Sequence, residues 1–324
     1  MQSAKETLHK VVQGDSGKDS TTQSKPGLER DMEPKPTKVH LDTHGTQEGS
    51  APYCPCGKLK GKNAVVTGGD SGIGRSVAIL LAMEGAKVAI VYLPVEEPDA
   101  THTKEQIEKN GGQAVLIASD LSTAVNCRDV AVRIKAVFDK VDILINNAAT
   151  RNESGGIMDI SEQVMLSMSA NIDLTKSREQ WSYLFRVNVD SYFHLTKAIL
   201  PSMGKGGSII NSASVDSYIG VPSRLDYATS KGAVVAFTRS LSNELIKKGI
   251  RVNAVAAGPV WTPMLASSVD KKGQEGHGLG NSTPMGRLGQ PSEVATTYVF
   301  LASGESQFMS GQTLHPNGGI VVNG

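Results

Sequence analysis

The chain has 324 residues and a formal net charge of +1, with basic and acidic residues interspersed. That balance argues against a nucleic-acid footprint or a membrane-surface patch, and no apolar run has the length of a membrane span or the form of a secretory signal. Three cysteines are too few for a disulfide framework, which leaves the cytosol as the expected address.

Residues 1–50 are rich in Ser, Thr, Gly, Pro and mixed charge, and they bury too little apolar surface to offset chain entropy. They are expected to form a flexible, largely disordered tail, in which PGLERDMEPKP (Pro26–Pro36) is the piece able to lie along the body or a partner subunit. Glu6, Asp15 and Asp19, with no arginine before Arg30, speak against a mitochondrial presequence. Cys54 and Cys56 lack the further ligands that a zinc site needs, so two free thiols and no metal are expected.

From residue 51 to 324 the pattern is that of one α/β domain. Strand runs KNAVVT, KVAIVYL, GQAVLIAS, VDILINNAA, GSIINSAS and IRVNAVAA alternate with helix-period segments, and a short last strand near GQTLHP closes the chain. Continuous apolar strands alternating with helices predict a Rossmann-type doubly wound parallel sheet with helices on both faces. Ligands in such sheets bind beyond the carboxyl ends of the strands, where the strand order switches.

Two motifs fall at those ends. TGGDSGIG, Thr67 to Gly74 and including Ser71 and Ile73, joins the first strand to the first helix. Gly68 suits a tight turn, Gly72 a close approach of the backbone to a pyrophosphate, and Gly74 the packing of helix on sheet. The helix N-terminus offers N–H groups to phosphate. Further on, Tyr227 and Lys231 stand at i and i+4 and share a helix face. A phenol of pKa roughly 10 is a poor acid–base group at neutral pH, and a nearby cation draws it toward the working range.

With NNAA at Asn146–Ala149, these motifs make the chain resemble the short-chain dehydrogenase/reductase family over roughly Gly57 to Gly319. Within it, GDSGIGR, VYLPVEE, LDYATSKGA, GPVWTP and PMGRLGQPSEVA resemble the glucose/ribitol dehydrogenase-like and NADP-dependent aldehyde reductase group. The resemblance implies an NAD(P)-dependent oxidoreductase and gives four residues catalytic roles. Tyr227 exchanges a proton with the reacting oxygen. Lys231 lowers the phenol pKa and holds ribose hydroxyls, Ser214 steadies the reacting oxygen, and Asn188 holds a water that links Lys231 to solvent. It also implies that Asp120 contacts adenine, that Asn147 lines the adenosine ribose, and that Gly258, Val260 and Thr262 hold the nicotinamide carboxamide. A tetramer or dimer is implied, with subunits meeting through the helices around Asn188 and Tyr227.

Where NAD-preferring relatives carry an aspartate at the end of the second strand, this chain has Tyr92. Its absence favours NADP and leaves NAD possible; Arg75 is a candidate neighbour of a 2′-phosphate or a solvent-facing residue, and Glu96 and Glu97 count the other way. Asp216, Tyr218, Trp261 and the loop Met264–Arg287 are the expected pocket walls, with Asp216 and Tyr218 able to bond substrate hydroxyls. Reduction of an aldehyde or ketone and oxidation of a sugar or polyol are both consistent with such a pocket. A non-catalytic cofactor-binding module and a cofactor-assisted epimerase or dehydratase are the rival classes. Finally, the chain carries extra residues near 160–176, around EQVMLSMSANIDLTKS, as either a surface insertion or retained intron sequence.

Overall fold

The computed structural model describes residues 25–42, 50–160, 180–268 and 283–322. A 3-10 turn at Glu29–Asp31 comes first, and the first strands are β1 (His40–Asp42) and β2 (Ser50–Pro52), a small antiparallel pair that the sequence reading did not anticipate. The main sheet then alternates with helices in the predicted order. It runs β3 (Asn63–Thr67), α1 (Gly72–Met83), β4 (Lys87–Tyr92), α2 (Glu97–Lys109), β5 (Gln113–Ala118), α3 (Ala124–Val137) and β6 (Val141–Asn146). After residue 180 come α4 (Gln180–Phe185), a π-helical turn at Arg186–Asp190, α5 (Ser191–Ile199), β7 (Met203–Ser212), α6 (Asp216–Ile219), α7 (Leu225–Leu245) and β8 (Arg251–Val255). The chain closes with α8 (Pro263–Ser268), α9 (Pro291–Ala302) and β9 (Thr313–Leu314).

Seven parallel strands lie in the order β5-β4-β3-β6-β7-β8-β9. The order reverses between β3 and β6, which opens the crevice at their carboxyl ends. Period-two alternation sends each strand's side chains into two separate cores. Ala64, Val66, Val88 and Ile90 join Leu80 of α1, Ile107 of α2 and Val299 of α9 on one face. Val65, Ala89 and Val91 join Val130 of α3, Leu195 of α5 and Leu245 of α7 on the other. No described helix is long and apolar enough to cross a membrane. Cys54 and Cys56 are exposed free thiols, and the described residues contain no His, Cys, Asp or Glu cluster placed to hold a metal.

Part of the stretch read as a flexible tail is held against the body. Glu29 and Met32 are buried, and PGLERDMEPKP lies along the domain, because Met32 finds an apolar niche and Glu29 finds cations. The extra residues near 160–176 lie outside the described residues except for Ile160, as do residues 269–282 of the expected pocket loop.

Candidate active site

The glycine turn is shaped by contacts that a side chain would break. A Cβ on Gly74 would stand 1.9 Å from the Gly68 carbonyl oxygen and 2.5 Å from Asn147 Nδ2. Gly72 has φ +53°, and its ideal Cβ position lies 3.2 Å from Thr262 Cγ2, so the loop after β8 closes against the phosphate-binding turn. Thr67 and Asn147 lace the two sides of the crevice together. Asn147 and Ala148 donate main-chain N–H bonds to Thr67 Oγ1 at 2.8 and 3.0 Å, and Asn147 Nδ2 donates to the Thr67 and Gly68 carbonyls at 3.0 and 3.1 Å. Asn147 is therefore a tie within the site, its amide donors spent on the turn. A tight glycine turn with no room for a Cβ at Gly74, leading into a helix N-terminus, fits a dinucleotide pyrophosphate.

At the end of β4, Tyr92 is buried and its hydroxyl donates to Glu97. Glu96 is pushed up to about 8 by burial and then by Asp70, and Asp70 rises to about 6 chiefly through burial. Of the two alternatives read from the sequence for Arg75, exposure to solvent is the one that the structure removes. Arg75 is buried, donates to the Asp70 carbonyl at 2.6 Å and Thr103 Oγ1 at 2.8 Å, and is paired with Glu29 and, at 3.1 Å, with Asp99. Asp120 sits in the turn after β5, where its carboxylate accepts from the Ser122 N–H at 2.9 Å. Gly258 lies against Asn317, and Val260 forms a parallel bridge with Gly289, which sets Thr262 beside Gly72.

Tyr227, Lys231, Val234 and Thr238 fall on the buried face of α7. Lys231 Nζ donates to the Ser212 carbonyl at 2.7 Å and to the Tyr192 hydroxyl at 3.3 Å, and burial pushes its pKa down to about 7. Burial raises the Tyr227 pKa, and Asp216 adds to the rise. Arg151, Ser214 and Arg224 oppose it. The sequence reading assigned the lowering of that pKa to Lys231; in the folded chain the leading opposing charge is Arg151, which follows NNAA by two residues and has no motif to announce it. Arg151 meets Glu153 at 3.8 Å, Glu153 meets Arg224 at 2.8 Å, and Arg224 meets Asp216 at 2.9 Å, a row of alternating charge beside the phenol.

Ser214 is buried next to Tyr227, with its Oγ accepting from the Asp216 N–H at 3.2 Å. Asn188 is fully buried in the π-helical turn, a distortion common at functional sites. Its Oδ1 accepts from Thr150 N at 2.8 Å, and its Nδ2 donates to the Thr150 carbonyl at 2.9 Å and to Ser230 Oγ at 3.1 Å. Ser230 in turn donates to the Tyr227 carbonyl at 2.8 Å. Asn188 thus reaches α7 through Ser230 and makes no direct bond to Lys231.

Two expected pocket walls have other work. Asp216 is buried and paired with Arg224, and Trp261 is buried in a small core with Met32, Leu265, Ala266 and Leu288. Tyr218 is half-buried and packs edge-on against His315 with ring centres 4.7 Å apart. Those two rings line a groove of about 620 Å³ together with Arg239, Asn243 and Gln312.

The family profile described as enoyl-(acyl carrier protein) reductase matches residues 68–321. Glucose and ribitol dehydrogenase of Daucus carota is 44% identical over 298 residues, covering 90% of this chain and 96% of the relative. NADPH-dependent aldehyde reductase 1, chloroplastic, of Arabidopsis thaliana is 43% identical and covers 89% and 96%. Among solved structures, a short-chain dehydrogenase from Burkholderia cenocepacia in complex with NADP superposes with a TM-score of 0.69 at 29% identity, covering 81% of this chain and 98% of that one.

Proposed function

The chain belongs to the short-chain dehydrogenase/reductase family of oxidoreductases, and from that membership we propose that it reduces an aldehyde or ketone with NADPH. The observation that carries this reading is the buried grouping of Ser214, Tyr227 and Lys231 beside the crevice opened by the strand-order switch. Bound in that crevice, NADPH would supply the hydride. Thr67–Gly74 and the loop Gly258–Thr262 would hold the nucleotide, with Tyr92, Asp120 and Asn147 toward its adenosine half and Tyr227 and Lys231 toward the nicotinamide ribose.

Ser214 Oγ orients the substrate carbonyl oxygen and steadies the charge that grows on it. Tyr227 donates its proton to that oxygen. Lys231, with a pKa drawn down to about 7, exchanges a proton readily near neutral pH and recharges the phenol. Asn188 holds the relay in register through Thr150 and Ser230. The upward shift of the Glu96 carboxyl by burial, the tyrosine at position 92, and the NADP and NADPH of the Burkholderia and Arabidopsis relatives support NADP over NAD. Oxidation of a sugar or polyol is the second reading, supported by the likeness to the carrot enzyme.

Homo-oligomerisation belongs to the same proposal. Exposed Val125 and Val132 on α3 and Phe193 on the neighbouring α5 support it. A cytosolic address is also part of the proposal, as is the division into a tail over 1–50 and a domain over 51–324 with an insertion near 160–176, amended by the docking of residues 25–42. The test is consumption of NADPH with a panel of aldehydes and ketones. Turnover that needs the Tyr227 hydroxyl is expected, and binding without turnover on any of them would contradict it.

A further inference from the structure

We propose that residues 28–37 form a strut joining the phosphate-binding turn to the loop after β8, with Glu29 and Met32 as positioning residues at its two ends. The inference rests on the reading that the crevice binds NADPH. The first amide of α1, Gly72 N–H, points where an anion is favoured. Glu29 Oε2 takes that amide at 2.7 Å. The other carboxylate oxygen meets the Arg75 guanidinium, and Lys38 Nζ at 2.6 Å. Glu29 N–H also donates to Asp99 Oδ2 at 2.8 Å, and Asp99 is itself 3.1 Å from Arg75. Two carboxylates and the Arg75 guanidinium are thereby brought together out of water, with the half-buried Lys38 at the edge. Arg75 lies on α1 and Asp99 on α2, so the first turn of α1 is fixed from outside the sheet, and deleting Glu29 would leave the buried Arg75 with one carboxylate fewer.

A few residues on, the same segment reaches the opposite wall of the site. Met32 is fully buried against Trp261, Leu265, Ala266 and Leu288. Trp261 Nε1 donates to the Pro34 carbonyl at 2.8 Å. Thr37 N–H donates to Gln290 Oε1 at 3.0 Å, and the Thr37 carbonyl accepts from Ser292 N–H at 3.2 Å. Trp261 and Leu265 flank Thr262 and Pro263, whose side chains border Gly72. The strut therefore grips both lips of the place where the loop and the turn meet. Glu29 sets the phosphate-binding turn and Met32 sets the loop after β8.

The experiment compares full-length wild type with Glu29→Ala, Glu29→Gln and Met32→Ala, reading NADPH Kd by fluorescence titration and carbonyl KM by NADPH consumption. Loss of one charge-assisted hydrogen bond at the turn should raise the NADPH Kd of Glu29→Ala by about tenfold, with carbonyl KM moving far less. Glu29→Gln, which keeps an oxygen for Gly72 N–H and loses the charge, should show a smaller rise. Met32→Ala, which loosens the loop proposed to hold the nicotinamide end, should also raise the NADPH Kd, by several-fold, with carbonyl KM again moving far less. A general loss of packing would lower the melting temperature without separating the two constants, and that result overturns the inference. So does an NADPH Kd at or below wild type in either Glu29 variant; if Glu29→Ala does not fold, Glu29→Gln decides. Failure of the wild type to bind NADPH would count against the proposed function instead.

Discussion

Lys231 Nζ donates to the main-chain carbonyl of Ser212 at 2.7 Å while standing 5.8 Å from the centre of the Tyr227 ring. The ammonium is thus fastened to the carboxyl end of β7, and α7 is locked to the strand whose next turn carries Ser214. One lysine fixes the distance between the two groups proposed to share the reacting oxygen.

Replacing Tyr227 with Phe should lower turnover by about 10²- to 10⁴-fold, the usual worth of a general acid–base group. NADPH affinity and the unfolding midpoint should stay close to wild type, because only a hydroxyl is removed. Steady-state kinetics together with a titration of the variant check both halves.

Replacing Arg151 with Gln should move the pH profile of alcohol oxidation to higher pH. Burial raises the Tyr227 phenol, and Arg151 is the first of the groups that oppose the rise. Without the guanidinium the phenolate is less favoured, so more alkaline conditions are needed to form it. An unshifted profile in Arg151→Gln would remove Arg151 from the account.

Spacing within the sequence made the turn at Thr67–Gly74 and the Tyr227–Lys231 pair legible, because each motif lies within a single local element. The strand and helix order was legible for the same reason, since short β-branched runs such as NAVVT, set between longer helix-period stretches, read as buried strands. Arg151, Ser212 and Glu29 were not legible. Arg151 acts on Tyr227 across a fold that sequence distance hides, Ser212 contributes only a carbonyl, and Glu29 meets Gly72 from a stretch whose composition reads as solvated. Met32 was missed on the same ground: one apolar residue among polar ones has no period, and its partners come from the other end of the chain.

Lys231 also predicts how stability varies with pH. Burial holds its amine at about 7 in the folded chain, whereas in the unfolded chain it keeps its proton to about 10.4. Between those values the unfolded state binds more protons. Lys231 therefore costs stability at pH 7 and below, and the cost is relieved as pH rises, by up to about 1.4 kcal/mol per pH unit. Urea unfolding across this window should show Lys231→Met lacking that part of the rise. Parallel curves for the two proteins would contradict the shift.

Glu96 predicts a pH-dependent choice of nucleotide. Below about 8 its carboxyl is protonated and neutral, and above that it ionises in the turn Pro94–Glu96 that follows β4, on the side proposed to take the 2′-phosphate. NADPH KM should rise with pH through this range while NADH KM changes little, and Glu96→Gln should flatten the NADPH curve. Equal pH dependence for the two nucleotides would rule Glu96 out.

The most direct test of the central claim is a fluorescence titration of the purified protein with NADPH and with NADH, before any substrate is added. The account predicts saturable binding of NADPH, tighter than that of NADH, since no acidic residue stands at position 92 to repel a 2′-phosphate. Preference for NADH would contradict the cofactor assignment and favour sugar or polyol oxidation. Binding of neither nucleotide would contradict the oxidoreductase reading of the site itself.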